Sequence, residues 1–299
     1  SAFFTHTAHA VKHYYVHPGL TTGSNNGADW TNAWRSFTNV NWTQLSADAA
    51  TQPVYLYVKK GTVSPDRIYP GAGNGGSSDT NRIIVTTDPA DTGANPIIST
   101  STRMTGPWTN VAGEVYTVQL SGWSSYDPHS AWEDTTFLLR KRTTDANVER
   151  GEFYIDKTTA PYTMYVRTSD GANPSTHTID LNNAHSNIYL YQTDYFTVEN
   201  IDLRHGGEYG VTRILRSRYV NISNVRVRNC VGGFLSIVAA HTVFDNIDVE
   251  GCWNKNSYSS GSGGGAGFVA FEWSGVTDPI TITNSRFVGN YLGISSSAK

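Results

Sequence analysis

The chain has 299 residues, 16% of them charged, with 22 Lys and Arg against 25 Asp and Glu for a formal net charge of −3. That balance argues against a nucleic-acid binder, which would show a basic surplus or stripe, and no apolar run reaches the roughly 18 residues of a membrane span. Hydrophobic residues make up 38%, and 28 glycines accompany plentiful Thr, Ser and Asn, a β-rich and turn-rich composition that suits one large domain or two small ones. No signal peptide is visible, although a processed chain would have lost it.

Residues Ser1 to His13 have no clear period and hold His6, His9 and His13 among the nine histidines. They read as an exposed arm or a packing strand in preference to a metal site. Tyr14-Tyr15-Val16 predicts a short strand, and a Gly-containing loop runs from His17 to Asp29. Trp30, Trp34 and Phe37 then fall at i, i+4 and i+7, a helical stripe with Asp29 as its N-cap. From Pro53 strands are expected at Val54–Val58, Arg82–Val85 and Asn95–Ile98. The run Gly71-Ala-Gly-Asn-Gly-Gly76 lacks the Lys-Ser/Thr ending of a phosphate cradle and reads as a turn.

Between about Trp108 and Leu181 strands are expected near Glu114–Gln119, Thr136–Arg140, Gly151–Ile155 and Met164–Arg167, off any regular period. After it one pattern returns four times: Asn200-Ile-Asp-Leu, Asn224-Val-Arg-Val, Asn246-Ile-Asp-Val and Asn284-Ser-Arg-Phe. The spacings are 224 − 200 = 24, 246 − 224 = 22 and 284 − 246 = 38, a period near 23 with one insertion. Each unit adds a Gly-led apolar run at Gly210, Gly233, Gly267 and Gly293. Short β-rich runs recurring at this period mean a stacked array of parallel strands. Stacking sets the four asparagines in a ladder, since Asn tolerates a left-handed bend and its amide reaches the next amide one strand spacing away. It also aligns Asp202, Arg226, Asp248 and Arg286 in an outward column of alternating sign. Cys230 and Cys252, 252 − 230 = 22 residues apart, become neighbours whose side chains point the same way, so free stacked thiols are expected.

The asparagine ladder, the Gly-led strands and the apolar stacks resemble the right-handed parallel β-helix proteins of the pectate-lyase-like superfamily, strongly over the last third of the chain. The resemblance implies an all-β fold, a right-handed parallel β-helix (solenoid) with an N-terminal helical cap and an inserted β-module. On that reading residues 1–50 are arm and capping helix, 51–107 the first coils, 108–185 the inserted module and 186–299 further coils. The chain stops inside a coil, from which further coils, or cover from another subunit as in a homotrimer, are expected. The superfamily holds polysaccharide lyases, glycoside hydrolases, phage tailspikes and adhesins, so two readings stay open. One is a carbohydrate-active enzyme; the other is a non-catalytic structural or receptor-binding β-helix of a tailspike, virion or cell surface. Both place the protein outside the cell, at a cell surface or on a virion, with a polysaccharide or glycan as partner and no cofactor or metal.

The resemblance also implies a cleft along the Gly-led strands. Burial cost sets their facing: carrying Arg213 and Glu272 inward unpaired would cost several kcal/mol each. Thr212, Ile214, Leu235, Ile237, Val269 and Phe271 are therefore expected inside, with Arg213, Ser236 and Glu272 outside. With His205 and Glu208 these form a candidate polar groove. Glu208 and Glu272 are the nearest pair for hydrolysis by two carboxylates; His205, Arg213 and Lys255 are the candidates for elimination. The long loop from Cys252 to Gly267 carries Trp253, Lys255 and Tyr258, aromatic and cationic groups suited to sugar rings and their hydroxyls.

Overall fold

A computed structural model of the chain describes residues 10–123, 130–134, 136–140, 148–182, 186–207, 211–231, 234–252, 266–271, 280–289 and 292–297. Among them the backbone forms two parallel sheets and a third, mainly antiparallel one. The largest sheet runs in the order Lys12–Val16, Val54–Val58, Ile83–Thr86, Phe196–Arg204, Asn221–Arg228, Thr242–Glu250 and Ile280–Thr283, and three short strands, Val63–Ser64, Ile97–Ser99 and Arg286–Val288, extend its far half. The second is Ile188–Tyr191, Thr212–Arg218, Phe234–Ala240, Ala266–Phe271 and Leu292–Ser297. From Phe196 onward successive strands alternate between these two sheets.

The asparagines make the long strands bend. In a flat strand Phe196, Val198, Asn200 and Asp202 would share one face. Asn200 instead takes a left-handed φ of 59°, which shifts the alternation by one residue. Phe196, Val198, Ile201 and Leu203 all become fully buried in one core. Asn224 and Asn246 do the same at φ 49° and 52°, burying Ile222, Val225 and Val227 on one strand and Phe244, Ile247 and Val249 on the next. The freed amides stack: Asn224 Nδ2 donates to Asn200 Oδ1 at 2.5 Å and Asn246 Nδ2 to Asn224 Oδ1 at 3.1 Å. Asn284 keeps the left-handed backbone, φ 49°, but its amide turns to Asp245 Oδ1 at 2.8 Å. Cys230 and Cys252 are free and buried in the same core.

The charge column pairs Asp202 with Arg226, Arg226 with Asp248 and Asp248 with Arg286. One member departs from the outward expectation. Asp202 is 7% exposed, because the segment ahead of Ile97–Ser99 covers it and takes its backbone N–H at Pro96 O, 2.9 Å. Burial raises the Asp202 carboxyl above its ordinary range, with Arg226 opposing. Arg226→Glu, which sets a second carboxylate beside it, is expected to cost more than the ~1 kcal/mol usual for an exposed pair. Urea unfolding at neutral pH measures this; a smaller loss would mean that Asp202 behaves as a surface group.

The opening helix is not where the aromatic stripe predicts. Residues from Asp29 to Asn32 form a turn, in which the Asp29 carboxylate accepts the Asn32 N–H at 2.8 Å, and Trp34 makes a bridge to Val16. The α-helix is Trp42–Asp48, capped by Asn41, whose side chain accepts from Gln44 N. Trp34 and Phe37 are buried all the same, and Trp42 lies against Phe196 with ring centroids 6.1 Å apart. The aromatics therefore cover the core beside the first strands, with the helix one turn of chain later than expected.

The third sheet is built from Ser101–Met104, Ile179–Asn182, Ala131–Glu133, Thr136–Arg140, Glu152–Asp156, Tyr162–Arg167, Val115–Leu120 and Thr109–Ala112, in that spatial order. It has its own core, in which Phe153, Met164, Val166, Ile179 and Leu181 are fully buried. Glu114 bridges Arg150 and Arg167 on its surface.

Candidate functional site

A cleft of about 580 Å³ opens where the third sheet leaves and rejoins the largest one. Its walls come from Ile97–Ser99 and the end of Phe196–Arg204 on one side and from Ser101–Met104 and Ile179–Asn182 on the other. Two buried asparagines fasten this seam. Asn187 Nδ2 donates to Ile98 O and Arg204 O, both at 2.8 Å, and Asn182 Nδ2 to Thr100 O at 3.0 Å and His205 O at 3.1 Å. Gly206 must be glycine here, since a Cβ would come within 2.4 Å of Asn187 Oδ1.

His205 is the predicted site residue that the cleft contains. It sits in a left-handed bend, φ 53°, just past its strand and is 8% exposed. Its Nδ1 lies 3.0 Å from Ser99 Oγ and 3.1 Å from Ser101 Oγ, and its ring stacks on Trp132 with centroids 4.5 Å apart. Burial lowers its pKa to about 4, with Asp180 opposing and Arg204 and Arg103 adding to the effect. The imidazole is therefore neutral at pH 7.

Around it stand charges that the sequence reading did not single out. Arg103 grips Asp180 through two parallel bonds, Nε to Oδ1 at 3.0 Å and a terminal nitrogen to Oδ2 at 3.2 Å. Arg204 lines the cleft, and its buried Nε finds no acceptor among the described residues. Beyond it Arg228 and Arg286 bind Asp248 and Glu250 along the neighbouring strands. A signal for this place was present in the sequence. Residues that flank an insertion, here Ser99 to Arg103 and Ile179 to Asn182, must meet where it leaves and returns.

The other predicted residues do not join His205. Arg213 lies on the second sheet with its guanidinium 5.2 Å from the ring centre of Tyr189, which stacks on Tyr69. Ser236 is not in the column of Arg213. The register pairs Ser236 with Ile214, and Arg213 with Leu235. The shift is one residue from the Gly-led alignment, and it sets Phe234 and Phe268 in the column where Ile188 and Thr212 are fully buried. Apolar stacking thus outweighs the glycine phase. Glu208, Glu272, Trp253, Lys255 and Tyr258 lie outside the described residues. No lining residue of the cleft belongs to the one His and carboxylate grouping of metal-site dimensions among the described residues, Glu133, Asp170 and His177.

No family model and no curated protein sequence matches this chain. Among solved structures it is similar to the complex of XylC with xylose, at a TM-score of 0.66 and 13% identity over 95% of this chain and 60% of that one. A structure described as a glycoside hydrolase follows at a TM-score of 0.56 and 9% identity, over 87% of this chain and 76% of that one. The chain thus spans 60% of the length of the XylC structure. At such identities the likeness is one of fold.

Proposed function

We propose that the two parallel sheets wind as a right-handed β-helix and that this solenoid engages a polysaccharide in the cleft beside the third sheet. Alternation of successive strands between the sheets supports the winding. The observation that carries the ligand reading is Arg204, whose buried Nε lacks an acceptor among the described residues and whose side chain borders the cleft. An unmet buried donor costs about 1–3 kcal/mol, more when charged, so a ligand oxygen that meets it is rewarded. Arg favours the paired oxygens of a carboxylate, and the hydroxyl-bearing walls at Ser99, Ser101 and Thr102 suit a sugar. A carboxylated glycan fits both. The similar structures, one with xylose and one a glycoside hydrolase, support a saccharide as the ligand class on this fold.

Catalysis asks for more than the cleft's described lining supplies. Hydrolysis uses two carboxylates, whereas Asp180 is the single carboxylate among those lining residues and both of its oxygens are taken by Arg103. Elimination needs a base, and His205 is neutral with its Nδ1 engaged by two serines. We therefore read the cleft as a glycan-binding groove, with glycoside hydrolase or polysaccharide lyase turnover depending on residues such as Glu208 and Glu272. A glycan ligand suits an extracellular, cell-surface or virion location. Incubation with acidic and neutral polysaccharides, following reducing ends and the absorbance of unsaturated products, separates the outcomes. Reducing ends alone indicate a hydrolase, both signals a lyase, and retention on an immobilised polysaccharide without either signal the binding groove; no retention and no product would overturn the reading.

A further inference from the structure

The third sheet carries a cluster that the cleft does not use. Glu133 ends the strand Ala131–Glu133, and Asp134 follows it with a left-handed φ of 56°. Asp170 lies in the turn after Tyr162–Arg167, and His177 closes the short 3-10 turn Pro174–Thr176. The imidazole sits among all three acids: Nδ1 is 3.0 Å from Asp134 Oδ2 and 3.3 Å from Glu133 Oε1, and Nε2 is 3.3 Å from Asp170 Oδ1.

Hydrogen counting shows what this arrangement lacks. A neutral imidazole has one N–H, and the short contact to Asp134 places it on Nδ1. The Nε2 lone pair then faces the Asp170 carboxylate, acceptor against acceptor. Nε2 is also shut off from solvent and makes no aligned hydrogen bond. Glu133, 2% exposed, is held in place by Ser169, whose N–H donates to Oε2 at 2.8 Å and whose hydroxyl donates to Oε1 at 3.1 Å. Each oxygen keeps a lone pair. One ligand atom each from Glu133, Asp170 and His177 lie within 4.8 Å of one another, a spread that small side-chain rotations close around an ion with bonds of about 2.0–2.2 Å.

We propose that Glu133, Asp170 and His177 Nε2 bind one divalent transition-metal ion of the Zn²⁺ or Mn²⁺ kind, with Asp134 holding the imidazole from Nδ1. One nitrogen and two carboxylates form a donor set that favours these ions over Ca²⁺, which prefers all-oxygen sites. The carboxylate behind the ring is the usual support of a metal-bound histidine; it fixes the tautomer and the ring plane. Bound there, the ion ties the end of Ala131–Glu133 to two turns that are distant in sequence.

The test uses the whole chain, stripped with a chelator and titrated with Zn²⁺ and then Mn²⁺ by calorimetry, with melting followed in parallel. One equivalent should bind, and the melting temperature should rise. Co²⁺ should give the visible absorption of a nitrogen- and oxygen-ligated ion. His177→Ala should abolish the Co²⁺ band. Asp170→Asn keeps the oxygen that accepts Ala172 N–H at 2.8 Å, so it preserves the turn, and it should weaken Zn²⁺ at least tenfold. Asp134→Asn should weaken it by about 10–100-fold, as supporting partners do. Absence of saturable binding would overturn the proposal, because a proton on Nε2 would then be what satisfies the cluster. One-equivalent binding that survives both His177→Ala and Asp170→Asn would overturn it equally, by placing the ion elsewhere.

Discussion

Trp132→Ala is expected to lower stability by about 3–5 kcal/mol, the cost of emptying a buried aromatic site. Trp132 is 1% exposed and belongs to the third sheet, yet its ring lies against His205, which follows a strand of the largest sheet. Its loss should therefore loosen the seam as well as the fold. Phe153→Ala makes the comparison: Phe153 is equally buried but packs within the core of the third sheet. Both variants should unfold at lower urea concentration, and only Trp132→Ala should move the NMR titration of His205. Equal effects on His205 would mean that the ring contact does not shape the cleft.

The second large effect is one of pH. His205 titrates near its ordinary value of 6.5 in the unfolded chain and at about 4 in the folded one, lowered by burial. The unfolded state therefore takes up the proton first as pH falls. Stability that is fully present above pH 6.5 is lost progressively down to about pH 4, and below that no further loss comes from this group. A shift of this size corresponds to on the order of 3 kcal/mol. His205→Gln should lack that part of the acid sensitivity, so the difference in unfolding free energy between variant and wild type should narrow from pH 7 to pH 4. A constant difference across that range would show that His205 protonates freely in the folded state.

Most of the strand framework was legible because its signal repeats. Asn200, Asn224 and Asn246 each mark a bend, and four equivalent segments let one alignment test another. The second sheet was harder to read. There the Gly-led runs differ by one residue from the true pairing, and a period-two pattern moves every side chain to the other face when it slips by one. That slip is why Ser236 was set beside Arg213. The helix at Trp42–Asp48 was hidden because Trp30, Trp34 and Phe37 have helical spacing but reach the core from a turn, a bridge and a 3-10 turn. His205 was found from its position after a ladder strand. Its partners were not, because Ser99, Ser101, Arg103 and Asp180 come from segments about 80 residues apart in chain, at the two ends of the insertion. No local pattern links them; only the closure of the insertion does.

The most direct measurement of glycan engagement is the affinity of wild type and Arg204→Ala for glycans selected on an array of acidic and neutral polysaccharide fragments. A carboxylated fragment should bind the wild type saturably. Arg204→Ala should weaken that binding at least tenfold, or about 1.4 kcal/mol, without moving the unfolding midpoint. No binding to any fragment, or equal affinity in the two proteins, would contradict the cleft as the glycan site.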